Sequence, residues 1–164
     1  MAIRSHGGNG PAVIVEPDER SARAFEEVSD ALGLTHVSVV NCGAWHKADM
    51  LNLFVDPSHP ATNFTDGCTD YDERRRADYQ SVTVPVDTLD NIVAQLGVDR
   101  VDLVSITTNG AEQEILMGMD KIIAGGLQYI CLARTGTGYD ELVSRLGFDF
   151  LSLDDRGYTY VRRA

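Results

Sequence analysis

The stretch VDLVSITTNGAEQEIL, residues 101–116, restricts the fold more than any other part of the chain. An apolar run of strand character passes into a helical pattern through only Thr107-Thr108-Asn109-Gly110. A buried strand that turns straight into a helix is the building unit of an α/β sheet. Ligands of open α/β sheets bind at such strand-to-helix corners. This corner offers hydroxyls and an amide, and no charge.

The same unit appears near the start. Ala12–Val15 is a short β-branched run, stopped by Glu16-Pro17-Asp18, and ERSARAFEEVSDALG follows. Ala22, Phe25, Val28 and Leu32 share one helical face, Gly33 stops the helix, and Asp18 or Ser21 can cap its start. HVSVVNCGAW and MLNLFVD read as strands. Residues 56–80 lose all periodicity, which marks a long insertion loop. SVTVPV is a strand. DTLDNIVAQLG is a helix with Asp87 as cap, Leu89, Ile92, Val93 and Leu96 as its stripe, and Gly97 at its end. After the corner, Asn109 is expected to cap a helix, with Glu112 completing something close to a capping box. Its apolar face is Ile115, Leu116, Met119, Ile122 and Ile123, and Gly125-Gly126 breaks it. LQYICLA is a further strand and GYDELVSRLG a helix. FDFLSLDD and YTYVRR close the chain as a hairpin turning at Asp155-Arg156-Gly157. The order predicts one domain over residues 1–164, an α/β sandwich on a mostly parallel sheet, with residues 1–11 as a flexible lead-in.

With 164 residues the chain can bury a sizeable core, and 43% apolar with 24% charged residues is ordinary for a globular protein. The net charge of −11 argues against nucleic acid and anionic membranes as partners. No apolar run reaches the ~20 residues that span a bilayer. The N-terminus lacks the apolar segment of a signal peptide, so a cytoplasmic home is expected. Cys42, Cys68 and Cys131 show neither a metal pattern nor a disulfide framework, and no metal site is expected.

Glu16 ends a strand and precedes a helix. In dinucleotide-binding folds an acid there bonds the ribose hydroxyls of the cofactor. It also starts a helix favourably through the dipole, and the sequence leaves both roles open. The cofactor's glycine-rich turn should lie about 20 residues earlier, yet only fifteen residues precede Glu16. The glycines of residues 7–10 precede a strand rather than follow one, so they read as lead-in.

Several segments together resemble the FkbM-type methyltransferases, a branch of the class I S-adenosylmethionine-dependent enzymes. They are VIVEPDERSARAFEEVSDALGL, VSVVNCGAW, VPVDTLDNIVAQLGVDRVDLVSITTNGAEQEILMGMDKII and LGFDFLSLDDRGY, covering roughly residues 12–160. The resemblance implies a seven-stranded Rossmann-like sheet with a terminal antiparallel hairpin, S-adenosylmethionine as cofactor, and O-methyl transfer to a sugar or other small-molecule acceptor. It implies that Glu16 binds the cofactor ribose, that Asn41 and Cys42 lie on the adenine side, and that Ser105 to Asn109 lie beside the methyl group. Ser105 would then belong to the cofactor site, and Thr107 and Asn109 to the catalytic corner.

Two departures stand out. The family's first strand and glycine-rich turn have no counterpart in the sequence. Where the family tends to carry Lys-Ile-Asp-Val-Glu-Gly, Ser105 replaces the lysine, Thr107 the aspartate and Asn109 the glutamate. A retained scaffold with a lost activity, acting as a binding or interaction module, is therefore the alternative. Without the first strand, the neighbouring strands close up, or residues 2–5 fill the gap, or a partner chain or second copy covers the open edge; a fragment of a longer reading frame is a further reading. His46 and His59 are candidate bases near the long loop. Trp45 could stack on a ligand or pack in the core. Arg74-Arg75-Arg76 reads as a solvated face balanced by Asp72, Glu73 and Asp78.

Overall fold

Seven strands form the main sheet of the computed structural model, which describes residues 2–4, 10–66, 78–133, 139–155 and 157–164. In chain order the elements begin with β1 (Ala2–Arg4), β2 (Ala12–Val15), α1 (Glu19–Ala31) and β3 (Val37–Val40). Four strands of a second, smaller sheet follow: β4 (Gly43–Ala44), β5 (Asp49–Val55), β6 (Phe64–Thr65) and β7 (Gln80–Asp87). The chain then returns to the main sheet through α2 (Leu89–Gln95), β8 (Leu103–Ile106), α3 (Glu112–Leu116), α4 (Asp120–Ala124) and β9 (Tyr129–Leu132). It ends with α5 (Tyr139–Arg145) and the hairpin β10 (Phe148–Asp154) and β11 (Gly157–Arg162).

The main sheet has the order β10-β11-β9-β8-β1-β2-β3. The expected seven strands and terminal hairpin are present. The expected mostly parallel ladder is not. Only β2–β3 and β8–β9 pair in parallel, and the other four neighbouring pairs are antiparallel. The slot beside the strand that ends at Glu16 is filled by Ala2–Arg4, one of the alternatives raised by the sequence, so these three residues are part of the sheet and not of the expected flexible lead-in. β1 runs antiparallel to both neighbours, with Ala2 opposite Ile14 on one side and Ser105 on the other. A hairpin of this kind needs only a short connection, whereas a parallel strand would need a crossover of a dozen or more residues.

The alternation read from the sequence decides the main core. Val13 and Val15 of β2, Val104 and Ile106 of β8, and Ile130 and Leu132 of β9 are all buried. Leu89, Ile92 and Val93 of α2, Ile115 and Leu116 of α3, Ile122 of α4 and Val143 of α5 belong to the same core. A second core of Trp45, Leu53, Val55, Val84 and Val86 belongs to the smaller sheet and its approach, and Ala111 packs against both. That smaller sheet, in the order β4-β7-β5-β6, was not foreseen. Period-two alternation signals a buried face but names no partner strand.

Helix starts, faces and lengths need five corrections. Asp18 caps α1 as expected, accepting from the Arg20 N–H at 3.0 Å, but of the expected apolar face only Ala22 is buried. Phe25, Val28 and Leu32 are 42%, 55% and 67% exposed, and Phe25 borders a cavity rather than the core. Leu96 of the expected α2 stripe is likewise exposed. The α2 cap is Thr88, whose side chain accepts from Asn91 N at 3.1 Å, while Asp87 accepts from the Thr88 N–H at 2.7 Å. Asn109 does not cap α3: the N-cap residue is Ala111, without a side-chain bond. The single helix expected after the corner is two helices, broken at Met117–Met119. A Cβ on Gly118 would stand 2.1 Å from the Trp45 carbonyl oxygen, so the chain passes Trp45 too closely for any other residue.

Gly7, Gly8, Cys68, Arg74, Arg75, Arg76 and Arg156 lie outside the described residues. Among the described residues no helix is long and apolar enough to cross a membrane.

Candidate functional site

β2 and β8 run the same way, so Glu16-Pro17-Asp18 and Thr107-Thr108-Asn109 leave the sheet on the same edge. They leave on either side of the β1 slot. A cavity of about 210 Å³ opens there. Val15, Glu16, Pro17, Thr107, Thr108 and Asn109 form the sheet side; Trp45, Leu51, Leu53 and Val86 come from the smaller sheet and its approach. Pro60, Ala61, Asn63, Phe64 and Thr65 form the roof. The cavity thus sits where the two cores meet.

Glu16 is half-buried, and its Oε1 accepts from the Asp18 N–H at 2.9 Å. Burial pushes its carboxyl above the ordinary value, and the Asp18 hydrogen bond only partly offsets this. It is the one ionisable side chain among the described residues lining the cavity. Thr108 Oγ1 is buried without a hydrogen-bond partner. A carboxyl group, an unpaired hydroxyl and the polar side chains of Asn63, Thr65, Thr107 and Asn109, set among apolar residues, suit a ligand with an apolar body and several hydroxyls.

The roof is residues 56–66, and the residues around it explain why it stays down. Asn109 donates through Nδ2 to the carbonyl oxygens of Ala61, at 2.8 Å, and Asn63, at 2.9 Å. Asn63 Nδ2 in turn donates to Asp18 Oδ2 at 2.9 Å, and Asn63 Oδ1 accepts from Asp56 N at 3.0 Å. Arg20 clamps Asp18 at 3.1 Å and donates to the carbonyl oxygens of Asp56 and Pro57. Burial raises the Asp18 carboxyl, but the bonds from Arg20 and Asn63 outweigh it and hold the group below its ordinary value. Phe64 stacks on Phe54 with ring centroids 5.0 Å apart and meets the edge of Tyr79 at 5.2 Å.

Of the residues singled out in the sequence, Glu16, Thr107 and Asn109 line the cavity together. Asn41, Cys42 and Ser105, the other three residues assigned to the cofactor or catalytic site, do not. Asn41 is exposed, and its amide donates to the carbonyl oxygens of Glu16, at 2.9 Å, and Pro17, at 3.3 Å, which holds the strand end in shape. Cys42 packs against the main core, and burial, with Asp87 nearby, pushes its thiol up to about 11. Ser105 lies within β8, between Ala2 and Cys131. His46 pairs with Glu114 outside the cavity, and His59 is exposed at the start of the turn Pro60–Thr62. Trp45 packs in the second core, the commoner of its two expected uses, and it also lines the cavity. The roof residues Asn63 and Phe64 were missed: they sit in a stretch without periodicity, where only contacts from distant elements define a role. Among the described residues no three His, Cys, Asp or Glu side chains gather as a metal site.

A nucleoside cofactor such as S-adenosylmethionine is met in part. Glu16 suits a ribose diol. The slot that should supply the glycine-rich turn holds an antiparallel strand, which presents Ala2 rather than a strand-to-helix turn at this edge. The cavity also falls below the about 300 Å³ at which sites for drug-sized ligands begin. The residues therefore fit the ribose end and not the whole cofactor while the roof is down.

The chain is similar in structure to the methyltransferase FkbM from Methylobacillus flagellatus. The TM-score is 0.59 at 14% sequence identity, over 91% of this chain and 36% of that one. The chain thus has an FkbM-type methyltransferase fold and spans little more than a third of that protein's length. No family model matches the chain, and no curated protein matches it.

Proposed function

We propose that this chain is an S-adenosylmethionine-binding, methyltransferase-like protein, with Glu16 as the group that takes the ribose hydroxyls. One observation carries the reading: Glu16 closes its strand at a cavity shared with the Thr107–Asn109 corner, on a sheet of methyltransferase strand number and hairpin. The reaction that suits such a cofactor is O-methyl transfer to a small molecule or sugar, since its sulfonium supplies an electrophilic methyl group. The protein's share of that chemistry is mostly proximity and aim. Val15, Leu53, Phe64 and Val86 would keep water from the site, and Thr107 and Thr108 would orient a hydroxyl-bearing ligand.

A specific observation favours a second reading, a non-catalytic relative that binds a ligand in the same place. Among the described residues the cavity walls hold no base besides Glu16, which the cofactor would occupy. A general base is worth about 10²–10⁴-fold to hydroxyl methylation. Neither His46 nor His59 reaches the cavity.

Calorimetric titration of S-adenosylmethionine into the purified chain tests the first point. We expect a saturable heat and a rise in melting temperature, both lost in E16A. At a hundred times Kd the stabilisation should be about 2.7 kcal/mol. No heat and no stabilisation at millimolar ligand would remove the cofactor reading. Binding without S-adenosylhomocysteine formation over a panel of hydroxylated acceptors would select the second reading.

A further inference from the structure

We propose that Asn109 is a latch that decides what size of ligand the Glu16 cavity admits, by holding residues 56–66 shut over it. A primary amide nitrogen carries two hydrogens. Asn109 Nδ2 lies within hydrogen-bond distance of two carbonyl oxygens, Ala61 O at 2.8 Å and Asn63 O at 2.9 Å, both in the roof. These bonds span 48 and 46 residues of sequence, so they join the β8–α3 corner to the roof rather than shape a local turn. The roof's other side is tied to the α1 cap by Asn63 Nδ2 on Asp18 Oδ2 at 2.9 Å. Two asparagine side chains therefore pin the short turn from both flanks.

With the roof in place the cavity, about 210 Å³ and partly open, encloses a ligand smaller than a nucleoside. A nucleoside must wait for the roof to lift, and its apparent affinity falls by the fraction of molecules that are open. Asn109 is a positioning residue in this scheme. It acts on the ligand through the roof, and an acceptor at the same place would face two carbonyl oxygens with nothing to give them. The Asn109 amide caps no helix, so changing it leaves the start of α3 as it is.

The structural arm of the test stands without the cofactor reading; the ligand arm rests on it. Amide hydrogen exchange on the whole chain compares the wild type with N109D, which keeps the shape and reverses the polarity, and with N109A. Peptides covering residues 56–66 should exchange at least tenfold faster in N109D and measurably faster in N109A. Peptides from 89–95 should not change, which reports that the fold is intact. Unchanged exchange of the roof in both variants would overturn the latch. In the second arm adenosine is the probe, followed by thermal shift and calorimetry. N109D should bind it at least threefold more tightly than the wild type. Equal affinity would overturn the gating role. Should neither protein bind adenosine while the roof exchange still rises, Asn109 holds the roof but its role in ligand size is overturned together with the nucleoside reading.

Discussion

Asn109 has no hydrogen to spare for chemistry: its amide is committed to the backbone of the loop above. The residue type alone suggested a helix cap, because Asn is a favoured capping residue and Glu112 follows at the right distance. The loop that takes the amide lies more than forty positions away, and no local pattern could name it. Glu16 was legible in a different sense. A carboxylate between a strand and a helix is visible in the sequence, and the cavity beside it is not. Its protonation follows from its surroundings. Burial raises its affinity for a proton above that in the unfolded chain, so the folded state resists the charged form. The penalty is absent below the unfolded carboxylate range and grows as pH rises through the raised value. E16Q should therefore be more stable than the wild type at pH 7, and the gain should fade as pH falls towards 4. Urea unfolding at a series of pH values measures this; a gain independent of pH would show that the carboxyl charge is not the cause.

At the scale of elements, most strands and helices were readable and their partners were not. β2, β7, β8, β9, α2 and α5 fall within two residues of the expected positions, because each carries a clear period and a clear stop. The α2 cap moved by one residue, from Asp87 to its neighbour Thr88, as two good capping residues stand side by side. The break between α3 and α4 could not be read. Met117-Gly118-Met119 continues an apolar helical stripe, and only the carbonyl of Trp45 passing close by forbids a side chain there. That contact joins the two cores, so Gly118 matters to both. G118A should lose roughly 1–3 kcal/mol or more, since the atom it would strike is backbone and cannot swing aside. A chemical denaturation midpoint within error of the wild type would mean that Trp45 does not pass there. The stripe of α1 shows the reverse error. Phe25, Val28 and Leu32 have the spacing of an inward face, but spacing cannot say whether anything lies opposite.

For the whole molecule, strand number and hairpin could be inferred, and the direction of the central strand could not. Residues 2–4 are too few to carry a period, and extended backbone accepts either direction of pairing. Yet the backbone ladder between β2–β3 and β8–β9–β11–β10 runs through these three residues. I3P removes an N–H from a strand with neighbours on both sides, where proline is not tolerated. It should cost at least about 1 kcal/mol for the lost bond and raise exchange in β2 and β8 together. Protection that persists in both would mean that the helices alone hold the halves in register. The reversed strand has a consequence of its own. Backbone hydrogen bonds ask for shape and not for identity, so what occupies the middle of this sheet is a short splint in a socket. A free peptide of three or four extended residues carries the same backbone groups that this berth reads.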